Sequence, residues 1–148
     1  MVKKGRIYII AVGKLRHPYK VLENEFLKRM ENVEIIEIRE KGRLYETRCV
    51  VDKLKEKDWF IILCDVEGKL LTTDEFSILL KEKLNWRNVC FLIGGSNGFE
   101  KELLKSYIHM ELSLSPMTFN HQLCRIVLLE QIYRVVMRWK GHPYSTQH

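Results

Sequence analysis

Residues 91–99 read FLIGGSNGF, residues 112–123 read LSLSPMTFNHQL, and residues 124–139 read CRIVLLEQIYRVVMRW. The first segment opens as an unbroken apolar run, the pattern of a strand covered on both faces. It ends in Gly94-Gly95-Ser96-Asn97-Gly98. The second is a mixed loop stiffened by Pro116, in which Thr118 or Asn120 is placed to cap the next helix. The third is a helix whose apolar residues occupy more than one face, so it must be covered on nearly all sides. A buried strand, two ligand-type loops and one very apolar helix point to a small-molecule pocket beside a subunit interface.

Working outward, four more segments have strand character: Ile7–Val12, Val33–Arg39, Trp59–Asp65 and, more weakly, His109–Ser113. Helical patterns fall between them. Tyr19–Met30 carries Val21, Leu22, Phe26, Leu27 and Met30 on one stripe, and Tyr45–Lys55 is a weaker pattern. Thr72 and Glu75 form a capping box ahead of Phe76, Leu79, Leu80 and Leu84. Glu100–Tyr107 reads as a short helix, and Asp65-Val66-Glu67-Gly68-Lys69 as a polar turn. Regular alternation of strand and helix predicts an α/β fold with a parallel sheet flanked by helices. At 148 residues, without a linker or a repeat, the chain is read as one domain over 1–148. Ligands of such sheets bind beyond the carboxyl ends of the strands, which directs attention to Gly13–Lys14, Asp65–Lys69, Gly94–Gly98 and Leu114–Asn120.

The net charge of +6 favours an anionic partner such as nucleic acid. The basic residues are dispersed, so that charge acts through the folded surface. Cys49, Cys64, Cys90 and Cys124 form no CxxC pair and have no histidine at zinc-ligand spacing. No metal is expected, and the cysteines read as small apolar side chains in a reducing cytoplasm. The apolar run after Met1 stops at Lys14, too early for a signal peptide, and no stretch is long enough to span a membrane.

No loop is decisive by itself. The glycine-rich turn suits either a tight strand-to-helix turn or a close approach of backbone amides to a ligand. It is neither the dinucleotide fingerprint nor a Walker loop. In the long helix, Glu130 and Arg134 are spaced for an ion pair. After it, His142 and Tyr144 in GHPY are either solvated or docked over a site.

Taken together, the chain resembles the RlmH family of SPOUT-class methyltransferases over essentially its whole length. The resemblance is carried by AVGK at Ala11–Lys14, DVEGK at Asp65–Lys69, LIGGSNGF, LSLSPMTF, HQL-RIVLLEQIYR and HPY. It implies a SPOUT-type parallel sheet with a C-terminal deep trefoil knot, a homodimer, and S-adenosylmethionine as methyl donor. The implied acceptor is N3 of a pseudouridine in the 23S rRNA of the large ribosomal subunit. Carried over residue by residue, cofactor contacts fall on Cys64, Gly94, Leu114, Ser115, Pro116, Met117, Thr118 and Phe119. Cys64 stands where the family has leucine. The acceptor-side candidates are Arg125, His142, Tyr144, His121 and Arg134, with the tail of one subunit approaching the cofactor of the other. The basic residue usual after the tyrosine is replaced by Ser145. Two readings from other classes stand beside this one. One is a non-enzymatic RNA-binding module. The other is a nucleotide-binding oxidoreductase, which the absence of an early GxGxxG disfavours.

Overall fold

β-branched and aromatic side chains alternate between two cores along each central strand. In β1 (Ile7–Val12), Ile7, Ile9 and Ala11 enter one core while Ile10 and Val12 enter the other. In β4 (Val89–Ile93), Val89, Phe91 and Ile93 alternate in the same way with Cys90 and Leu92. Both faces are therefore covered, which explains the unbroken apolar runs. The computed structural model describes residues 5–144. Lys3, Lys4 and the Ser145–His148 tail lie outside the described residues.

The remaining strands are β2 (Val33–Ile38), β3 (Phe60–Leu70) and β5 (Met110–Ser113). All pairings are parallel, and the sheet order is β2-β1-β4-β3-β5. Helices α1 (Tyr19–Leu27), α3 (Thr73–Leu84) and α5 (His121–Trp139) cover one face. Helices α2 (Arg43–Leu54) and α4 (Lys101–Leu104) cover the other. The capping box forms as expected: Glu75 N–H donates to Thr72 Oγ1 at 3.0 Å, and Thr72 N–H donates to the Glu75 carboxylate at 2.8 Å.

Two expectations change. The Asp65–Lys69 segment is not a terminal turn but an excursion inside a longer strand. Cys64 pairs with Leu112, and after the excursion Lys69 returns to the same residue. Gly68 permits this, because a Cβ there would lie 2.7 Å from the backbone of Glu111 and Leu112. Gly68→Ala has no flexible side chain to push aside, so it costs about 1–3 kcal/mol by overpacking, measurable by urea unfolding. An unchanged midpoint would contradict the close approach.

The second change concerns α5. Ile126, Leu128, Leu129, Ile132, Tyr133, Val135, Val136 and Met137 are all buried within their own chain. Its apolar surface is met largely by α1, α3 and the sheet, so this burial does not itself require a second subunit.

His109 bridges the amino ends of β3 and β5. Its Nδ1 accepts a hydrogen bond from Ile61 N–H at 2.9 Å, and its ring stacks 5.2 Å from Phe60. Burial, aided by the Arg87 charge, pushes the imidazole below its usual 6.5. Between the folded and unfolded values the folded chain binds fewer protons, so stability rises with pH and is lost as pH falls below 6.5. Lowering the pH from about 7.5 to about 5.5 therefore destabilises the wild type more than His109→Gln in parallel urea titrations. Equal losses in the two proteins would exclude His109 as the cause.

Candidate active site

The register of the sheet brings Gly13, Asp65, Gly94 and Leu114 out at one edge, because Ala11 pairs with Ile93 and Cys64 with Leu112. A cavity of about 520 Å³ opens there, between the ends of β3, β4 and β5 and the start of α5. Its volume lies within the range of small-molecule sites.

Three local devices shape it. Gly98, at φ +69°, closes the glycine turn by donating its N–H to Gly95 O at 3.0 Å. Side chains are not accommodated behind that turn: a Cβ on Gly94 would lie 3.1 Å from Gly98 Cα, and one on Gly95 would lie 3.0 Å from Val12 Cγ1. The second loop is folded by two serines. Ser113 Oγ donates to Ser115 O at 2.8 Å, and Met117 N–H donates to Ser115 Oγ at 3.0 Å. Asn120 then caps α5 by accepting Leu123 N–H at 2.9 Å. Behind the glycine turn, buried Thr47 holds the entry to α4 by accepting Glu100 N–H at 2.8 Å.

The cavity gathers most of the residues expected at the cofactor. Cys64, Gly94, Leu114, Ser115, Met117, Thr118 and Phe119 all line it, as does His121. Pro116 is not in the lining; it lies between the two loop residues whose backbone and side chain are bonded. Leu63, Ile93 and Leu112 supply apolar floor. Burial pushes the Cys64 thiol well up and the Cys124 thiol to about 11. Both therefore stay protonated at neutral pH and act as wall, not as nucleophiles.

The acceptor-side candidates are dispersed. Arg125 does not face the cavity. It is 2% exposed, with Nε and Nη2 gripping Glu23 at 2.7 and 3.1 Å, Nη2 also 2.7 Å from Glu37, and Nη1 donating to Gly13 O at 3.2 Å. It is a buried cross-brace between α5, α1, β2 and the end of β1. This corrects the expectation that it is turned toward the site: every charged partner it has lies in the protein interior or at its margin.

Apart from His121, the other candidates cluster at the far half of α5 and just beyond its end. Gly141, at φ +73°, ends the helix, and His142 N–H donates back to Met137 O at 2.9 Å. The chain thus reverses, and Tyr144 returns onto the helix. Its ring meets Tyr133 edge-on at 4.8 Å, its hydroxyl donates to Glu130 at 2.9 Å, and the Arg134 guanidinium lies 5.1 Å over it. Arg134 also pairs with Glu130 at 2.6 Å. Burial, then the Glu130 carboxylate, raises the Tyr144 phenol above its usual value, so it stays a donor. His142 is exposed, with Nδ1 accepting Tyr144 N–H at 3.1 Å. From Cys124 at the cavity to Arg134 is about 15 Å along the helix. Among the described residues, none of the tail lines the cavity of its own chain.

The sequence places Asp65 in a polar turn among the candidate ligand loops but reads Lys101 only as a helix residue; both line the cavity. Lys101 Nζ lies 2.7 Å from Asp65 and 2.9 Å from Glu111. Although burial opposes it, the Lys101 and Glu67 hydrogen bonds hold the Asp65 carboxyl below its usual range. The two carboxylates raise the Lys101 amine. The available signal was positional: an acid at a strand's carboxyl end and a lysine opening the helix after the glycine turn. Among the described residues there is no group of three His, Cys, Asp or Glu arranged to hold a metal, and no helix long and apolar enough to cross a membrane.

A cavity thus lies over the carboxyl edge of a parallel sheet, walled by a glycine turn and the loop before the last helix, and residues 6–145 of the chain match a family described as "Predicted SPOUT methyltransferase". The chain belongs to the SPOUT methyltransferase family. This SPOUT methyltransferase is similar to proteins named "Ribosomal RNA large subunit methyltransferase H". The one from Prochlorococcus marinus is 35% identical, covering 99% of this chain and 100% of that protein. The one from Mycoplasma mobile is 38% identical and that from Acetivibrio thermocellus 39%, each covering 94% of this chain and 98% of the relative. These matches favour a methyltransferase over the RNA-binding module and the oxidoreductase.

Proposed function

We propose that the protein transfers the methyl group of S-adenosylmethionine to N3 of a pseudouridine in the 23S rRNA of the large ribosomal subunit. It acts in the cytoplasm as a homodimer whose C-terminal half forms a deep trefoil knot. The observation that carries the reading is the cavity between the Gly94–Gly95 turn and the Leu114–Phe119 loop, in a chain whose relatives bear an rRNA methyltransferase name.

The residues present fit the donor. Leu63, Ile93, Leu112, Leu114 and Phe119 give a nucleobase apolar surfaces, and the loop backbone offers hydrogen bonds to its edge. Gly94 and Gly95 let the backbone come close where the amino-acid chain runs. Bound there, S-adenosylmethionine supplies an activated methyl on sulfur, open to in-line attack. The protein's own task is then positioning and water exclusion. His121, at the cavity and the first turn of α5, is the near acceptor-side residue. Arg134 sits on the far half of α5 with His142 and Tyr144 just beyond its end, and a twofold arrangement of two chains brings the tail of one toward the cavity of the other. Exposed Val21 and Leu22 on α1, and Leu123 on α5, supply apolar surface for such a contact. Extrusion of the target base and its stacking on Tyr144 suit this layout. Arg125 is left with a positioning role, holding Gly13 and the end of β1.

Calorimetric titration with S-adenosylmethionine and light scattering test the cofactor and the dimer. Heat of binding and a two-chain mass are expected; no heat, or a monomer mass, overturns the corresponding claim. Tyr144→Ala is expected to leave cofactor affinity intact and lower turnover about 10- to 100-fold, the worth of one base-stacking contact. Unchanged turnover would remove Tyr144 from the acceptor site.

A further inference from the structure

Among the described residues lining the cavity, Asp65 is the one carboxylate and Lys101 the one amine. They come from opposite walls. Asp65 directly follows the apolar first half of β3, and Lys101 opens α4 just beyond the glycine turn. Their contact at 2.7 Å marks the end of the cavity where these walls meet. The remainder of the wall is apolar, hydroxylic or amide in character, apart from the two thiols and His121.

We propose that Asp65 and Lys101 form a charged subsite that reads the amino-acid end of the methyl donor, Asp65 taking its α-ammonium and Lys101 its α-carboxylate. This deepens, and rests on, the S-adenosylmethionine reading above. Both groups have capacity left after pairing. Asp65 Oδ1 accepts Glu67 N–H at 3.0 Å and Oδ2 accepts Lys101, while an ionised carboxylate offers about four acceptor positions. Lys101 spends two donors, on Asp65 and Glu111, of the three an ammonium carries. A zwitterion entering a largely apolar cavity loses part of its hydration, and fixed opposite charges offset that loss. Adenosine alone gains nothing from them. Glu111 contacts Lys101 but does not line the cavity. This separates the subsite from a simple staple between α4 and β5.

The test compares two ligands by calorimetry. S-adenosylhomocysteine carries the amino-acid end, whereas 5′-methylthioadenosine keeps the adenosine and thioether but lacks it. Asp65→Asn and Lys101→Met are expected to weaken S-adenosylhomocysteine about tenfold or more, the loss of one charge-assisted hydrogen bond, while methylthioadenosine changes by less than about twofold. Lys101→Arg and Glu111→Gln retain the wild-type preference, and thermal melts verify that each variant is folded. Equal weakening of both ligands, or a shift of preference in Glu111→Gln as large as in Lys101→Met, assigns the pair to stapling and overturns the subsite. A wild-type protein that binds methylthioadenosine as tightly as S-adenosylhomocysteine overturns the subsite alone. A wild type that binds neither overturns the cofactor reading with it.

Discussion

Arg125→Ala destabilises the fold by about 3–5 kcal/mol, the cost of stranding a buried charge. The Glu23 side chain is 1% exposed and takes two of the Arg125 bonds; among the described residues its other charged partner is the half-exposed Lys20 at 3.4 Å. Without the guanidinium, Glu23 is left in the interior with one loose ion pair, and Gly13 O loses its donor. Replacing both partners by apolar residues is a different experiment. Arg125→Met with Glu23→Leu removes the charge together with its fully buried counter-charge and leaves only the partly exposed Glu37 to be solvated, and buried pairs exchanged in this way are often neutral or stabilising. The double variant is therefore expected to recover most of the loss, giving a large coupling energy in a double-mutant cycle. Urea unfolding at neutral pH measures all three. A single-variant loss below about 1 kcal/mol, the range of a surface pair, would contradict the brace.

Gly94→Val is expected to abolish useful cofactor binding while the chain still folds. A Cβ at this position would stand 3.1 Å from Gly98 Cα and 3.2 Å from Gly98 C, both backbone atoms, with Phe99 Cδ2 at 3.4 Å. The turn has to open, which displaces one wall of the cavity. Misplacement of about 1 Å costs on the order of 10²-fold in a positioned site, whereas overpacking costs stability about 1–3 kcal/mol. Calorimetry and thermal melts separate the two effects. Wild-type affinity in a folded Gly94→Val protein would show that the glycine turn does not form the binding wall.

Much of this arrangement was legible before the structure because its signals are local. Unbroken apolar runs mark the strands, Thr72 and Glu75 mark the start of α3, and Thr118 or Asn120 the start of α5, of which Asn120 is the cap. Gly94–Gly98 and Leu114–Asn120 were found because both follow strands of a parallel sheet. The features that escaped depend on distant partners. The acids that neutralise Arg125 are 102 and 88 residues away in the chain, so an arginine in an apolar helix reads equally well as a catalytic group or a brace. The excursion at Asp65–Gly68 reads as a turn, since its return to pairing depends on the backbone of β5 lying against Gly68. Lys101 carries no meaning until Asp65 and Glu111 converge on it. The cover over α5 is likewise a sum of contacts from α1, α3 and the sheet, which periodicity along one helix does not reveal.

The most direct measurement is methyl transfer to ribosomes. Purified protein and labelled S-adenosylmethionine are incubated with large-subunit-containing ribosomes, and the RNA is digested and analysed by mass spectrometry. The account predicts one labelled nucleoside, 3-methylpseudouridine, from 23S rRNA, and loss of the label when the target site carries uridine in place of pseudouridine. Label that appears equally on the uridine ribosomes, or no transfer to ribosomes by a protein that binds the cofactor, would contradict it.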